Sequence, residues 1–331
     1  MKDKVSVTVS LLTWNGAEYL PWFIKSLKEQ TFKNWELLVL DNDSSDRSVE
    51  IVREHYPQAR IIQQKQNIGF ARGHNLLINW SDSKYVFVVN QDIILEEDYL
   101  EKVVGFLEKN NKAASAAGKT MYWDFREGLK SKRIDSFGLS INRKRQMMDS
   151  YQGKDDFDLP NTEVFGLSGA TVVYRRKALD MVVTAQASNH LEYFDEDFFS
   201  YKEDVDLAWR LRLAGWENWL VTDTKAYHHR TVSGLGSARQ KRQGRGMANK
   251  LSYRNHLMTL YKNSFYKNLF RDFWVIKWYE FKKFIYLLIF ERGTLAGIGE
   301  YFKAYPKLKK KRKFIMKHRK VEASDVYKWF K

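Results

Sequence analysis

The sequence predicts an α/β protein whose mostly parallel central sheet is flanked by helices and followed by a basic, aromatic helical extension. Three observations predict it. Apolar, β-branched runs at 5–12, 35–40, 60–63 and 85–89 alternate with segments of helical period at 18–30, 48–56, 76–80 and 98–109, the pattern of parallel strands joined by crossover helices. Polar residues gather directly after those runs, in Thr13-Trp14-Asn15-Gly16, Asp41-Asn42-Asp43, residues 67–75 and Asn90-Gln91-Asp92, where open α/β sheets bind their ligands. Charge is uneven: the 331 residues carry +16, yet 262–331 hold 19 Lys/Arg against 6 Asp/Glu. The basicity therefore belongs to the tail and not to the sheet.

The elements follow in order. VSVTVSLL at 5–12 alternates small polar and β-branched residues, a strand. Leu20, Phe23, Ile24 and Leu27 form one stripe of helix 18–30. WELLVL at 35–40 is the second strand. Asp46 is placed to cap helix 48–56, which Pro57 closes. After strand 60–63, the turn 67–75 leads into helix 76–80, and YVFVV at 85–89 is the fourth strand. A strand is expected at 113–120. Residues 122–160 mix charge, glycine and aromatics, as a hairpin or a loop over a site would. VFGLSGATVVY at 164–174 reads as strand, turn, strand, with Ser168-Gly169-Ala170 small enough for a ligand to approach the backbone. A helix at 176–183 and a short strand at 218–221 follow. Residues 231–237 read as a Ser/Gly-rich loop and 237–246 as a basic linker. Helix 247–261 opens a helical remainder. The chain divides into a sheet domain, 1–236, and the extension, 237–331.

Composition removes several classes of function. Hydrophobic residues make up 44% and support a real core, and there is no cysteine, so disulfides, thiolate nucleophiles and Cys-based zinc sites are excluded. The G-x-G-x-x-G, G-x-x-x-x-G-K-[ST] and G-x-S-x-G patterns are absent. Met1-Lys2-Asp3-Lys4 runs straight into a strand, without the pattern of a signal peptide, and a cytoplasmic protein is expected. In the extension, Lys and Arg flank Trp, Tyr and Phe, and the longest uncharged run, FIYLLIF, is seven residues. That is far below the roughly 20 needed to span a bilayer. It suits helices lying in a membrane interface, with KLKKKRK at 307–313 against anionic headgroups. No RNA-binding pattern appears, and a nucleic acid partner is not expected.

Acid is densest at 193–215, YFDEDFFSYKEDVDLAWRLRLAG. Asp204, Leu207, Ala208 and Leu211 fall on one helical face, so Asp204 looks inward from the first turn. Asp206 lies on the opposite side, four residues before Arg210, the spacing of a helix ion pair. Asp204 then suits a general base acting on a hydroxyl. Asp92, just past a buried strand, suits Mg²⁺ or Mn²⁺ held against a diphosphate. Asp41 and Asp43 could accept from a nucleobase and ribose. His228 or His229 could complete the metal site, but adjacent residues cannot both face it.

Taken together, VSLLTWNGAEYL, LLVLDNDSSDRS, NIGFARGHN, VVNQDIIL, GLSGATVVYRR, FDEDFFSYKEDVDLAWRLRLAGW and YHH…SG resemble the family 2 glycosyltransferases of GT-A fold. Within that family they are similar to the bacterial rhamnosyltransferase-like group, over residues 5 to about 262. The resemblance implies an inverting transferase using a divalent cation, Mg²⁺ or Mn²⁺. It implies that Thr13, Asn15, Asp41 and Asn42 border the base and ribose, and that Asn67, Gly69, Phe70, Arg72 and Asn75 line the diphosphate and sugar. Asp92 ends the D-x-D position, here Asn90-Gln91-Asp92, which offers one carboxylate where the family offers two. Glu203-Asp204 occupies the E-D position, with Asp204 as base, and His228 or His229 matches a metal- or diphosphate-contacting histidine. Ser168, Gly169, Phe194, Asp195 and Glu196 would form the acceptor side. The expected donor is dTDP-L-rhamnose, then a UDP-sugar. The expected acceptor is a glycan, polyprenyl-linked, at the inner face of the cell membrane. A nucleotidyltransferase of similar sheet, which needs a basic phosphate loop near residue 15, and a non-catalytic glycan- or lipid-binding scaffold are the alternatives.

Overall fold

The computed structural model describes residues 5–124, 127–184, 186–187, 190–230 and 246–331. The first half is β1 (Val7–Thr13), α1 (Leu20–Lys28), β2 (Trp35–Asp41), α2 (Ser48–His55), β3 (Arg60–Gln63), α3 (Gly69–Asn79) and β4 (Tyr85–Asn90). Its strands lie in the order β3-β2-β1-β4, all parallel. Thr13 stands opposite Asp41, and Leu12 opposite Asn90, so the strand ends form one polar rim.

Beyond β4 come β5 (Ile93–Leu95), α4 (Tyr99–Lys109), β6 (Ala113–Asp124), β7 (Leu129–Ser136), β8 (Leu139–Ile141), β9 (Met147–Asp149), β10 (Thr162–Val164), β11 (Thr171–Arg175) and α5 (Arg176–Asp180). The ribbon β12 (Gln186–Ala187) and β13 (His190–Leu191), a 3₁₀ turn at Glu196–Phe198, α6 (Glu203–Leu213) and β14 (Glu217–His228) complete the sheet region. β11 runs against both β4 and β6, while β14 runs with β6 and against β5 and β10. The α/β class is borne out, and the ten-stranded sheet is mixed rather than parallel beyond β4. The antiparallel β11 is buried on both faces just as the parallel β4 is, so it carries the near-continuous apolar run of a parallel strand, which is why the sequence alone suggested more parallel pairing.

Helices cover both faces. Val7, Val9 and Leu11 pack with Phe23, Ile24 and Leu27 of α1 and Val103 and Leu107 of α4. On the other face Val86, Val88, Val172 and Tyr174 meet Ala71 and Ile78 of α3 and Leu207 and Leu211 of α6. Residues 67–75, expected as a turn, are mostly helix. Gly69 has φ +81°, and a Cβ there would stand 2.6 Å from both the Phe199 ring and its carbonyl oxygen. A Cβ on Gly73 would stand 2.7 Å from Leu12. These glycines permit close packing at a helix start, although in sequence they read as turn formers. The expected short strand at 218–221 is part of the twelve-residue β14, bulged between Val221 and Lys225.

The extension contains α7 (Gly246–Asn263), α8 (Tyr266–Arg271), α9 (Phe273–Phe290), α10 (Arg292–His318) and α11 (Ala323–Tyr327). The 231–237 loop, the proposed 236/237 boundary and all but the last residue of the 237–246 linker lie outside the described residues. The extension packs on the sheet domain. Val205, Trp209 and Leu213, on the far face of α6, meet Ile315, Val326 and Phe330. The buried ions also meet across this junction. Lys262 of α7 pairs with Asp195 and, at 2.9 Å, with Asp206, all three fully buried. Lys311 of α10 lies 2.8 Å from Glu192, 2.5 Å from Asp195 and 3.0 Å from Asp197.

The 307–313 run is accordingly not one free polybasic face. Lys307 and Lys311 face acids, Arg312 donates to the Tyr261 carbonyl, and Lys309, Lys310 and Lys313 are exposed. α9 has the opposite character: only Leu287 is buried, while Trp274 is 81%, Trp278 61% and Phe290 60% exposed. Among the described residues no helix is long and apolar enough to cross a membrane.

Candidate active site at the strand ends

The β1 and β2 loops are laced together. Gln91 Oε1 accepts from Thr13 Oγ1 (2.8 Å) and the Trp14 N–H (3.0 Å), and Gln91 Nε2 donates to the Trp14 carbonyl (3.2 Å). Thr13 and Gln91 thus hold the rim itself. Asn15, in the left-handed region at φ 49°, accepts from the Ser45 N–H (2.8 Å) and donates its own N–H to Ser44 Oγ (2.9 Å). Asp46 accepts from the Ala17 and Ser48 N–H groups, so its capping role extends to the β1 loop. Asn42 and Asn67 close the entry to α3, accepting from the N–H groups of Ile68 (3.1 Å) and Gly69 (2.9 Å). Asp41 is buried and accepts from the Ser44 N–H (3.3 Å), yet its Oδ1 has no partner. A buried carboxylate oxygen without a donor is suited to an N–H or O–H from a ligand.

Asp92 lies at the turn from β4 into β5. β5 pairs with the end of β14, and this pairing brings Asp92 Oδ1 to 3.4 Å from His228 Nε2. Asp135 Oδ2 stands 2.8 Å from His228 Nδ1. Burial would lower the His228 pKa, but Asp92 and Asp135 overcome it and raise it to about 10. Burial alone would raise the Asp92 pKa; the His228 charge lowers it below 3.8. His229 points elsewhere: its Nδ1 lies 3.1 Å from the Trp123 carbonyl, and its ring lies beside Tyr19. Of the two histidines, His228 therefore faces Asp92, and the backbone alternation that turned them apart is ordinary strand geometry.

A divalent cation could use this pair once it displaces the proton that Asp92 and Asp135 keep on His228. Asp92 offers a hard oxygen, and His228 offers an imidazole nitrogen whose other nitrogen is oriented by a carboxylate, the usual outer support of a metal-bound histidine. Among the described residues no three His, Cys, Asp or Glu converge as a chelating group. A cation held here would complete its shell from phosphate oxygens. Sequence reasoning missed Asp135, Asp149 and Arg230. Arg230 bridges Asp135 (2.8 Å) and Asp149 (2.7 Å), and only its position directly after His228-His229 could have drawn notice.

Asp204 is half-buried in the first turn of α6. Its Oδ2 accepts from the Gly169 N–H (3.1 Å) and Oδ1 from the Val205 N–H (2.7 Å). The next residue, Ala170, accepts from the Asn90 N–H (2.9 Å), which ties Asp204 through the 168–170 turn to the end of β4. Ser168 Oγ accepts from the Ala170 N–H at 3.4 Å and shapes that turn. A Cβ on Gly169 would stand 3.0 Å from the Phe70 ring and 3.5 Å from Asp204 Cβ. Burial raises the Asp204 pKa above 3.8, partly offset by the two N–H groups. Glu203 is buried with Oε2 unpartnered, and burial followed by the Asp204 charge pushes its pKa well above 4.5. Both carboxyls are shifted toward their neutral forms, Glu203 further than Asp204.

Three expected contacts belong to the scaffold instead. Asn75 donates to the Phe194 carbonyl (2.8 Å) and accepts from the Phe194 N–H (2.9 Å), which occupies both ends of its amide. Phe194 is a core residue against Phe70 and Tyr174. Asp195 is fully buried between Lys262 and Lys311, so neither it nor Phe194 forms an acceptor wall. Glu196 is partly exposed, 2.6 Å from His190 and 3.9 Å from Arg72, whose side chain is largely open. The aromatics that face outward here are Phe199, 40% exposed, and Tyr201, 37% exposed.

Comparison with known proteins gives the family and the fold. Residues 8–182 match the family model described as glycosyl transferase family 2. An uncharacterized glycosyltransferase of Haemophilus influenzae is 30% identical over 114 residues, 34% of this chain and 35% of the relative. The chain thus matches about a third of that relative's length. The N-acetylglucosaminyl-diphospho-decaprenol L-rhamnosyltransferase of Mycobacterium tuberculosis is 25% identical over 257 residues, covering 68% of this chain and 76% of the relative. Among solved structures, GalNAc-T7 with UDP, GalNAc and Mn²⁺ superposes with a TM-score of 0.59 at 9% identity, covering 79% of this chain and 48% of the other. That likeness concerns the fold.

Proposed function

The chain belongs to glycosyl transferase family 2, and from that premise we propose that it moves a sugar from a nucleotide-diphosphate donor to a hydroxyl of a lipid-linked glycan, with inversion at the anomeric carbon. One observation carries the reading. A half-buried carboxylate, Asp204, with a raised pKa, is tied through Gly169 and Ala170 to the strand end that bears Asp92. A base and a phosphate-side carboxylate on one rim suit a single in-line displacement.

Asp41 receives a hydrogen bond from the donor nucleoside at its unpartnered oxygen. Asp92 and His228 would hold a divalent cation, with Asp135 orienting the imidazole. When bound, Mg²⁺ or Mn²⁺ neutralises charge on the departing diphosphate. Asp204 takes the proton of the acceptor hydroxyl as that oxygen forms its bond to the anomeric carbon and the bond to the diphosphate breaks. Glu203, enclosed beside Asp204 with its pKa raised by burial and then by the Asp204 charge, is the weaker acid of the two. Phe199 and Tyr201 offer apolar faces to a sugar ring.

The Mycobacterium relative's L-rhamnosyl transfer to a decaprenyl-linked sugar supports dTDP-L-rhamnose as first donor and a polyprenyl-linked acceptor; a UDP-sugar is second. The exposed aromatic face of α9, interrupted by Lys277 and Lys282, supports a seat on an anionic membrane surface at the cytoplasmic side. The test is release of nucleoside diphosphate from a panel of dTDP- and UDP-sugars, with and without Mn²⁺. Asp204→Asn is expected to abolish transfer and leave donor binding nearly intact. Wild-type turnover by that variant removes Asp204 as the base.

A further inference from the structure

The loop between the 3₁₀ turn and α6 has an unusual backbone. Phe199, Tyr201 and Lys202 have φ of 64°, 73° and 70°, in the left-handed region that side chains with a Cβ resist. This loop sets both sides of the candidate site. Lys202 is the residue that starts α6, two positions before Asp204. The Phe199 carbonyl accepts from the Ala71 N–H of α3 (3.1 Å), and its ring fills the space that a side chain at Gly69 would need.

What holds the loop comes from the extension. The side-chain amide nitrogen of Asn255, on α7 and fully buried, shares its two N–H groups among the carbonyls of Phe198 (3.0 Å), Ser200 (2.9 Å) and Tyr201 (2.7 Å). Its orientation is fixed, because Arg254 Nε donates to Asn255 Oδ1 at 2.9 Å. Arg254 also donates to the carbonyls of Asp197 (2.9 Å) and Phe198 (3.0 Å), and pairs with Glu300 of α10 at 3.0 Å. The chain Glu300, Arg254, Asn255 thus ends on four carbonyls of the strained segment. A buried amide with that many acceptors is far more than helix packing requires.

We propose that Arg254 and Asn255 are positioning residues for transfer: they hold the strained 197–202 backbone so that Asp204 and Phe199 keep their places. The inference rests on the reading of Asp204 as base. The extension thereby serves the chemistry directly, whatever surface α9 contacts. The proposed nucleoside contact, Asp41, stands at the end of β2, whereas the 197–202 segment meets the α3 start at Gly69 and Ala71, so the clamp is expected to act on turnover and sugar placement far more than on nucleoside affinity.

The experiment uses the full chain with Asn255→Asp, which keeps shape but removes the donor, and Asn255→Ala. Melting temperature, UDP and dTDP binding, turnover of the donor panel, and hydrogen–deuterium exchange of the 197–204 amides are measured. The expected result is a kcat lowered by about 100-fold, with nucleotide affinity within about threefold and amides of 197–204 exchanging faster while the sheet is unchanged. Adding Lys202→Gly to Asn255→Ala should recover about tenfold of kcat, since glycine adopts that φ without strain. Unchanged exchange at 197–204, or a kcat within about twofold of wild type, overturns the clamp. So does a loss of activity that vanishes below a lowered melting temperature. Asp204→Asn is assayed alongside. If it is fully active, the base reading fails whatever Asn255 does; if it is inactive and Asn255→Asp is not, only the clamp fails.

Discussion

Lys262→Met tests how strongly the extension is joined to the sheet domain. Lys262 Nζ sits fully buried between Asp195 and Asp206 and over the Phe198 ring at 4.6 Å. Methionine keeps the length and removes the charge. Breaking a buried ion pair by deleting one partner costs about 3–5 kcal/mol, because the remaining charge is left in a poor solvent. Here each acid retains a second cation: Asp195 has Lys311 at 2.5 Å, and Asp206 has Arg210 at 2.9 Å. The lower end, about 3 kcal/mol, is therefore expected. Unfolding entropy for 331 residues is about 0.7 kcal/mol/K, so the melting temperature should fall by about 4 °C. The sign with pH follows from Asp195. Burial alone would raise its pKa, but Lys262 and Lys311 hold it well below the carboxylate range. A depressed carboxylate stabilises fully above its unfolded pKa of about 3.9 and loses that contribution as pH falls toward the folded value. The gap between wild type and Lys262→Met should be full at pH 7 and narrow below about pH 4. Thermal melts by circular dichroism across pH 3–8 check it. A shift under about 1 °C at pH 7 would mean that the buried ions do not join the two regions.

Three further outcomes follow from the same geometry. The rate of transfer should fall as pH drops through a value above 3.8, since Asp204 must be unprotonated and burial raises its pKa; an acid limb at or below 3.8 in the kcat profile contradicts that environment. Glu203→Gln should melt higher than wild type at pH 8, with the gap closing toward pH 4, because a carboxyl whose folded pKa is raised loses stability as pH rises past its unfolded value; equal melts at both pH values refute it. Replacing Trp274 and Trp278 together by Ser should weaken flotation with anionic liposomes by about tenfold or more, from the apolar area removed, without moving the melting temperature.

The N-terminal half was legible because its signals are local. Strands β1, β2 and β4 are period-two or apolar runs, and Thr13, Asp41 and Asp92 follow them at the rim. Asp204 was legible from helical phase. What misled was residue type without partners. Asp195 resembles a site acid until Lys262 and Lys311, distant in sequence by 67 and 116 residues, are seen against it. Asp206 was paired correctly with Arg210 four residues on, but it lies buried rather than on an open face, because α7 covers it through Lys262 and Asn263. Asn75 and Phe194 have the chemistry of a donor or acceptor wall and the contacts of a scaffold.

The same long-range pairing changes how the extension must be tested. In sequence, a tail of strong positive charge reads as an appendage, and a chain ending near Lys262 would seem to isolate its role on membranes. In the fold, that ending removes Lys311 from Asp195, Glu192 and Asp197, Asp272 from Arg145, which is fully buried beside it, and the apolar cover from Trp209. Loss of flotation by the shortened chain would then report unfolding as readily as loss of an anchor. Trp274 and Trp278 avoid this confusion: both are largely exposed on α9, whose inward contacts include Leu287, the Glu280 pair with His256 of α7 at 3.3 Å and Lys283 over the Tyr253 ring. Substitution there changes the surface and leaves the buried ions of Lys262 and Lys311, and the Asn255 contacts, in place. A weakened flotation with an unchanged melting temperature can therefore be assigned to the aromatic face alone.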